Sequence, residues 1–238
     1  MAPSAESLAS NCLRELRSRI IGGRIPTATK LRETQLAAEL NVSRTPLRAA
    51  MLHLAQEGLL ERAGGGYAVR TFSFRDALIA IELRGVIEGT AARLAAELPA
   101  QEKDLNAISA TVAELDTVLE RDQMVEYATL NDRFHEQLAQ LSGSTMIKQE
   151  VERASRLPFA APSAFSSSKD DFERFKASLI IGQQHHHALV QSIARGEGSR
   201  AEALAREHAH LAKTNIEVAV RERSNTCRLA PQIALIAN

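Results

Sequence analysis

The chain has 238 residues, 45% of them apolar and 24% charged, the balance of an ordinary globular protein long enough for one small and one larger domain. No apolar run approaches the roughly 20 residues of a membrane span, and acid and arginine occupy residues 1–20 where a signal peptide would be apolar, so the expected location is cytoplasmic. The formal charge is zero, but residues 1–70 carry 10 Lys+Arg against 6 Asp+Glu (+4) and the remainder 19 against 23 (−4), which suits a polyanion-binding head on an acidic body.

Apolar residues recur at Leu8, Cys12, Leu13, Leu16 and Ile20, predicting an amphipathic helix over Ser7–Ile21 that ends at Gly22-Gly23. Thr34–Leu40 reads as a short second helix, Asn41-Val42 as a turn, and Ser43 as the cap of a third helix that runs to about Gln56, with Pro46 in its first turn. Leu59–Arg62 and Tyr67–Arg70 alternate as strands about the turn Ala63-Gly64-Gly65-Gly66, predicting a β-hairpin. Three helices and a hairpin are the order of a winged helix-turn-helix.

Beyond Phe74 helical stripes cover Asp76–Leu98, Glu102–Leu119, Val125–Leu141, Thr145–Arg156, Phe172–Ile193 and Arg200–Arg221, so the second domain is expected to be all-α. The Pro-, Ala- and Ser-rich stretch Leu157–Ser168 reads as a loop. The domain boundaries expected are 1–72, 73–224 and a tail, 225–238, with no evident docking face and therefore mobile. Cys12 and Cys227 have no metal-spaced partner and read as plain thiols.

A DNA reader places its donors in the first turns of the recognition helix. Arg44, Thr45 and Arg48 stand there, with Arg44 and Arg48 four apart on one face. Arginine can pair bidentately with guanine or phosphate and threonine can donate to phosphate, although solvated surface charges would look the same. The run Leu31-Arg32-Glu33-Thr34-Gln35-Leu36-Ala37-Ala38-Glu39-Leu40-Asn41-Val42-Ser43-Arg44-Thr45-Pro46-Leu47-Arg48, continuing to Glu57-Gly58-Leu59-Leu60, closely resembles the DNA-binding head of the GntR superfamily. The resemblance implies DNA contacts from Arg32, Arg44, Thr45 and Arg48, and a wing glycine, taken as Gly65, near the minor groove.

In the second domain Asn131 and His135 are four apart, sharing a face with Phe134 and Leu138. Spacing from Leu189, Val190 and Ile193 selects His186 from the triplet His185-His186-His187, and His208 falls on the stripe of Leu204 and Leu211, whereas His210 is turned elsewhere. Inward imidazoles on separate helices, with an inward amide, suit a divalent ion such as Zn²⁺, Ni²⁺ or Mn²⁺; the alternative is polar lining of a core or pocket. Leu83-Arg84-Gly85-Val86-Ile87-Glu88, Asn131-Asp132-Arg133-Phe134-His135, His186 and His208 resemble the FCD ligand-binding domain from about Phe74 to Val220. Asn131 stands where many members carry aspartate.

The resemblance to the FCD-domain (FadR-like) subfamily implies a mainly α protein: a winged helix-turn-helix followed by an all-α FCD-type helical bundle. It also implies a transcriptional regulator, usually a repressor, rather than an enzyme. Two heads reading a palindromic operator imply a homodimer. A small carboxylate effector would complete the metal's coordination, its other end held by Arg84, unless Arg84 only pairs with Glu88 on the surface. Two alternatives are a regulator for which the ion is itself the signal and, more distantly, a metal-dependent hydrolase, for which no HExxH or comparable motif is present.

Overall fold

The computed structural model describes residues 5–98, 102–157, 159–161, 164, 169–222 and 235–236. Two compact units divide at Asp76–Ala77, and Leu235–Ile236 belong to the first.

In the first unit α1 (Ala5–Ile21) packs on α3 (Arg44–Gln56). The contact follows from the sequence stripes: Cys12, Leu16 and Ile20 are buried on one helix, and Leu47, Ala50, Met51 and Leu54 on the other. Helix α2 (Glu33–Glu39) precedes α3 across a tight turn. There Asn41 takes φ 52°, in the left-handed region, and the Val42 N–H donates to the Ala37 carbonyl at 3.0 Å, closing the end of α2 as a Schellman-type cap. Ser43 occupies the N-cap of α3 as expected, yet its hydroxyl makes no capping bond.

The hairpin comprises β2 (Leu60–Ala63) and β3 (Gly66–Val69). Ala63 pairs with Gly66, leaving a two-residue turn of Gly64 (φ 53°) and Gly65 (φ 81°), and this double positive φ is the type I′ geometry whose twist matches the strands. A strand missing from the sequence reading, β1 (Lys30–Leu31), pairs antiparallel with β3, giving the order β1-β3-β2. Two residues are too few to show a period.

The expectation of an undocked C-terminal tail is corrected at its described residues. Leu235 and Ile236 are each 1% exposed, the Phe72 N–H donates to the Leu235 carbonyl at 2.9 Å, and Phe72 bridges Ile236 in parallel. Two large apolar side chains suffice to anchor there, without the longer stripe that periodicity detects. The other residues of 225–238, including Cys227, lie outside the described set.

The second unit is built from α4 (Phe74–Glu97), α5 (Glu102–Glu120), α6 (Met124–Leu141), α7 (Thr145–Ala154), α8 (Lys169–Ala194) and α9 (Gly198–Glu222). A capping box starts α4: the Ser73 hydroxyl accepts from the Asp76 N–H, and the Asp76 carboxylate accepts from the Ser73 N–H at 2.9 Å. The Ser73 hydroxyl also donates to the Asp76 carboxylate at 2.7 Å, and this bond, followed by the one from the Ser73 N–H, holds the Asp76 carboxyl below its ordinary range. Ala92, Ile108, Leu115, Phe134, Phe172, Leu189 and Ala205 meet in the core.

Helix α4 meets α9 at two glycines. A Cβ on Gly85 would stand 2.8 Å from the Ala209 Cβ, and one on Gly89 3.2 Å from the Glu202 carbonyl. Small residues at this spacing let the backbones approach and bring Arg84 and Glu88 beside His208. Within the expected loop Leu157–Ser168, Phe159 and Ala160 are fully buried. No helix among the described residues is long and apolar enough to cross a membrane.

Candidate DNA-reading head and buried histidine cluster

Arg44 is the first residue of α3, Thr45 and Arg48 follow within its opening turns, and all three are exposed. Arg32 is exposed at the N-cap of α2. Among the described residues neither Arg32 nor Arg44 has an acidic partner, whereas Arg48 Nε lies 2.7 Å from Glu33 Oε2 and links α3 to α2. At the hairpin tip none of the described residues stands within 4 Å of where a Gly65 Cβ would be, so the backbone is open to approach among them. Arg62 and Arg70, which flank the turn in sequence, stack on the Tyr67 and Phe72 rings.

In the helical unit the inward stripes converge. One ring nitrogen each from His135 on α6, His186 on α8 and His208 on α9 lie within 4.8 Å of one another. His135 is 3% exposed and His186 fully buried. His186 Nε2 and His208 Nε2 are 3.3 Å apart. Two nitrogens bound to one tetrahedral Zn²⁺ at about 2.1 Å would be about 3.4 Å apart, so the spacing fits a shared ion. Among the described residues His135 Nε2 is buried without a hydrogen-bond partner, a cost that a coordinated ion would relieve.

Burial, and then the charges of neighbouring histidines, push the His186 and His208 imidazoles well below their ordinary value. They are therefore neutral near pH 7, the form that ligates metal. Asn131 is buried one turn before His135 and lines a cavity of about 40 Å³ with Arg84, His208, Gly182 and Asn215. Asp132 lines a different cavity of about 240 Å³ with His135, Lys148, Val151 and Ser155.

Arg84 is 2% exposed, so its pairing with Glu88 is not a surface salt bridge. Its Nη1 donates to the Ala160 carbonyl at 2.8 Å and its Nε lies 3.7 Å from Glu88 Oε2. Glu88 Oε1 is 2.9 Å from His135 Nδ1, a close contact without good hydrogen-bond alignment. Burial alone would raise the Glu88 carboxyl, but the charges of His135 and Arg84 prevail and hold it at about 2. The sequence reading gave Glu88 no role toward histidine. The signal available was an acid on the apolar stripe of Ala77, Ile81 and Ala92.

His186 Nδ1 lies 3.0 Å from Gln183 Oε1, and Gln183 Nε2 donates at 2.8 Å to both the Val112 carbonyl and Asp116 Oδ1. Gln183 also escaped the sequence reading, although it sits three residues before His186 on the inward face. Outside the triplet's inward member, His187 is exposed and pairs with Asp116 at 2.9 Å.

Comparison with known proteins identifies the families of the two units. Residues 8–69 match the family model for bacterial regulatory proteins of the gntR family, and residues 80–211 match the FCD domain. The Nta operon transcriptional regulator of Aminobacter aminovorans is 34% identical over 139 residues, covering 55% of this chain and 62% of that protein. The transcriptional repressor RspR of Escherichia coli is 29% identical over 140 residues, covering 58% and 61%. The gluconate operon transcriptional repressor of Bacillus licheniformis is 54% identical over 52 residues, covering 21% of each chain. These matches thus span from about a fifth to about three fifths of the relatives' length.

Two solved structures share the fold. One, described as Lar, which controls the Listeria monocytogenes agr system, has a TM-score of 0.65 at 18% identity, covering 88% of this chain and 96% of that one. The other, E. coli McbR/YncC, has a TM-score of 0.62 at 19% identity, covering 92% and 99%. The matched families and relatives are regulators of transcription, not enzymes, and with its gntR-type head and FCD domain this chain belongs to the GntR family of bacterial transcriptional regulators, in the FCD subfamily.

Proposed function

We propose that the protein is a homodimeric, ligand-responsive repressor that grips a palindromic operator with Arg32, Arg44, Thr45, Arg48 and the backbone at Gly65. In this reading the helical unit holds one divalent ion on His135, His186 and His208, with the Asn131 amide oxygen as a fourth and weaker donor. The observation that carries it is the convergence of three ring nitrogens within 4.8 Å from three helices, with His135 and His186 buried and His208 partly so. The ion would supply a Lewis-acidic centre with open positions for a carboxylate.

Space constrains where such an acid goes. The cavity of about 40 Å³ beside Arg84 has room for one or two waters or a single small polar group, whereas the cavity of about 240 Å³ beside His135 approaches the size of small-ligand sites. The bulk of the effector therefore belongs on the His135 side. Arg84 keeps donors beyond the one given to Ala160, and these would hold a carboxylate end that reaches it. An effector that favours one arrangement of the helical unit biases operator affinity by linkage.

The test is elemental analysis of untagged protein before and after chelation, followed by operator binding with and without small carboxylic acids. About one ion per chain and weaker operator binding on adding an acid are expected. Absence of metal after reconstitution would reduce the histidines to pocket lining. A response to the ion without any acid would make the ion the signal.

A further inference from the structure

Having a lone pair on the correct nitrogen is a condition that burial alone does not meet. A neutral imidazole carries its proton on either Nδ1 or Nε2, and a ring with the wrong tautomer presents N–H where a ligand atom is needed. His186 is fully buried, so water cannot select the tautomer.

We infer that Gln183 is the positioning residue that fixes His186 as its Nδ1–H tautomer and so presents Nε2 as a ready metal ligand, its own orientation being set by α5. The backbone carbonyl of Val112 can only accept, and Gln183 lies 2.8 Å from it. The atom there must be the amide nitrogen. The second hydrogen of that nitrogen goes to Asp116 Oδ1, also at 2.8 Å. Turning the amide over would set its oxygen against two other oxygens. Gln183 Oε1 therefore faces His186 Nδ1 at 3.0 Å and can only accept, so Nδ1 carries the hydrogen. Nε2, the atom 3.3 Å from His208 Nε2, is left bare.

Asp116 is in turn steadied by exposed His187 through contacts of 2.9 and 3.1 Å, which gives a second member of the histidine triplet a part in the same chain of bonds. Outer residues of this kind commonly change metal affinity about 10- to 100-fold.

This inference rests on the metal reading above, and its test has one arm that does not. In metal-free protein labelled with ¹⁵N-histidine, NMR should give the His186 ring as Nδ1–H in the native chain and as a tautomer mixture or Nε2–H in Gln183→Leu. Co²⁺ titration should then give about 10- to 100-fold weaker binding for Gln183→Leu, with the metal-free melting transition still cooperative. Asp116→Ala, altered at a half-exposed position, tests the same chain if Gln183→Leu does not fold, with a smaller loss in the same direction. A native His186 protonated on Nε2, or variants that keep both the native tautomer and native Co²⁺ affinity, would overturn the inference. A native protein that binds neither Zn²⁺ nor Co²⁺ yet has the Nδ1–H tautomer would overturn the metal reading and uphold the role of Gln183 in setting the ring.

Discussion

Arg44 and His186 occupy opposite extremes of solvation, and their substitutions should separate accordingly. Arg44 is exposed and, among the described residues, has no acidic partner, so Arg44→Ala should leave stability nearly unchanged and weaken operator binding by about 1–3 kcal/mol at fixed salt, measured by fluorescence anisotropy. Arg48 starts from an ion pair with Glu33, and in the proposed contact it would exchange that partner for phosphate or base. His186→Ala should abolish stoichiometric metal, read by elemental analysis, and remove the effector response while sparing operator affinity without effector. Metal content that survives would mean that another residue supplies the ligand.

At the scale of elements, two backbone features make the motifs possible. Asn41 adopts a left-handed conformation that costs most L-residues about 1 kcal/mol, and asparagine tolerates it. Asn41→Gly should therefore be close to neutral in thermal melting, whereas Asn41→Ala should destabilise by about 1 kcal/mol. Gly85 makes the opposite comparison. Alanine in a helix interior gains about 1 kcal/mol over glycine in propensity, but here the new Cβ would meet the Ala209 Cβ at 2.8 Å between two helix backbones. Overpacking of this kind costs about 1–3 kcal/mol, so Gly85→Ala is expected to lower stability on balance and, by moving α4, to weaken metal binding as well. A variant more stable than the native chain would mean that α4 and α9 separate without penalty.

For the whole molecule the proposed ion couples folding to ligand binding, because an unfolded chain does not hold its three histidines together. With free ion at about 100 times its dissociation constant, stabilisation is about 2.7 kcal/mol, so chelation should lower the melting temperature and re-addition should restore it. The helices, the hairpin, the head motif and the inward choice of Asn131, His135, His186 and His208 were legible in the sequence because each depends on a local period or a contiguous motif. Strand β1, the docking of Leu235–Ile236 and the buried segment at Phe159–Ala160 were not, being too short to show a period or stabilised by partners distant in the chain. The sequence by itself determined which residues face inward on each helix, since 3.6 residues per turn is a property of the backbone. Only the tertiary structure decided that three of those stripes meet at one point, that Glu88 and Gln183 back His135 and His186, and that Arg84 is held inside by Ala160. Those facts depend on distances between helices, which local periodicity does not encode.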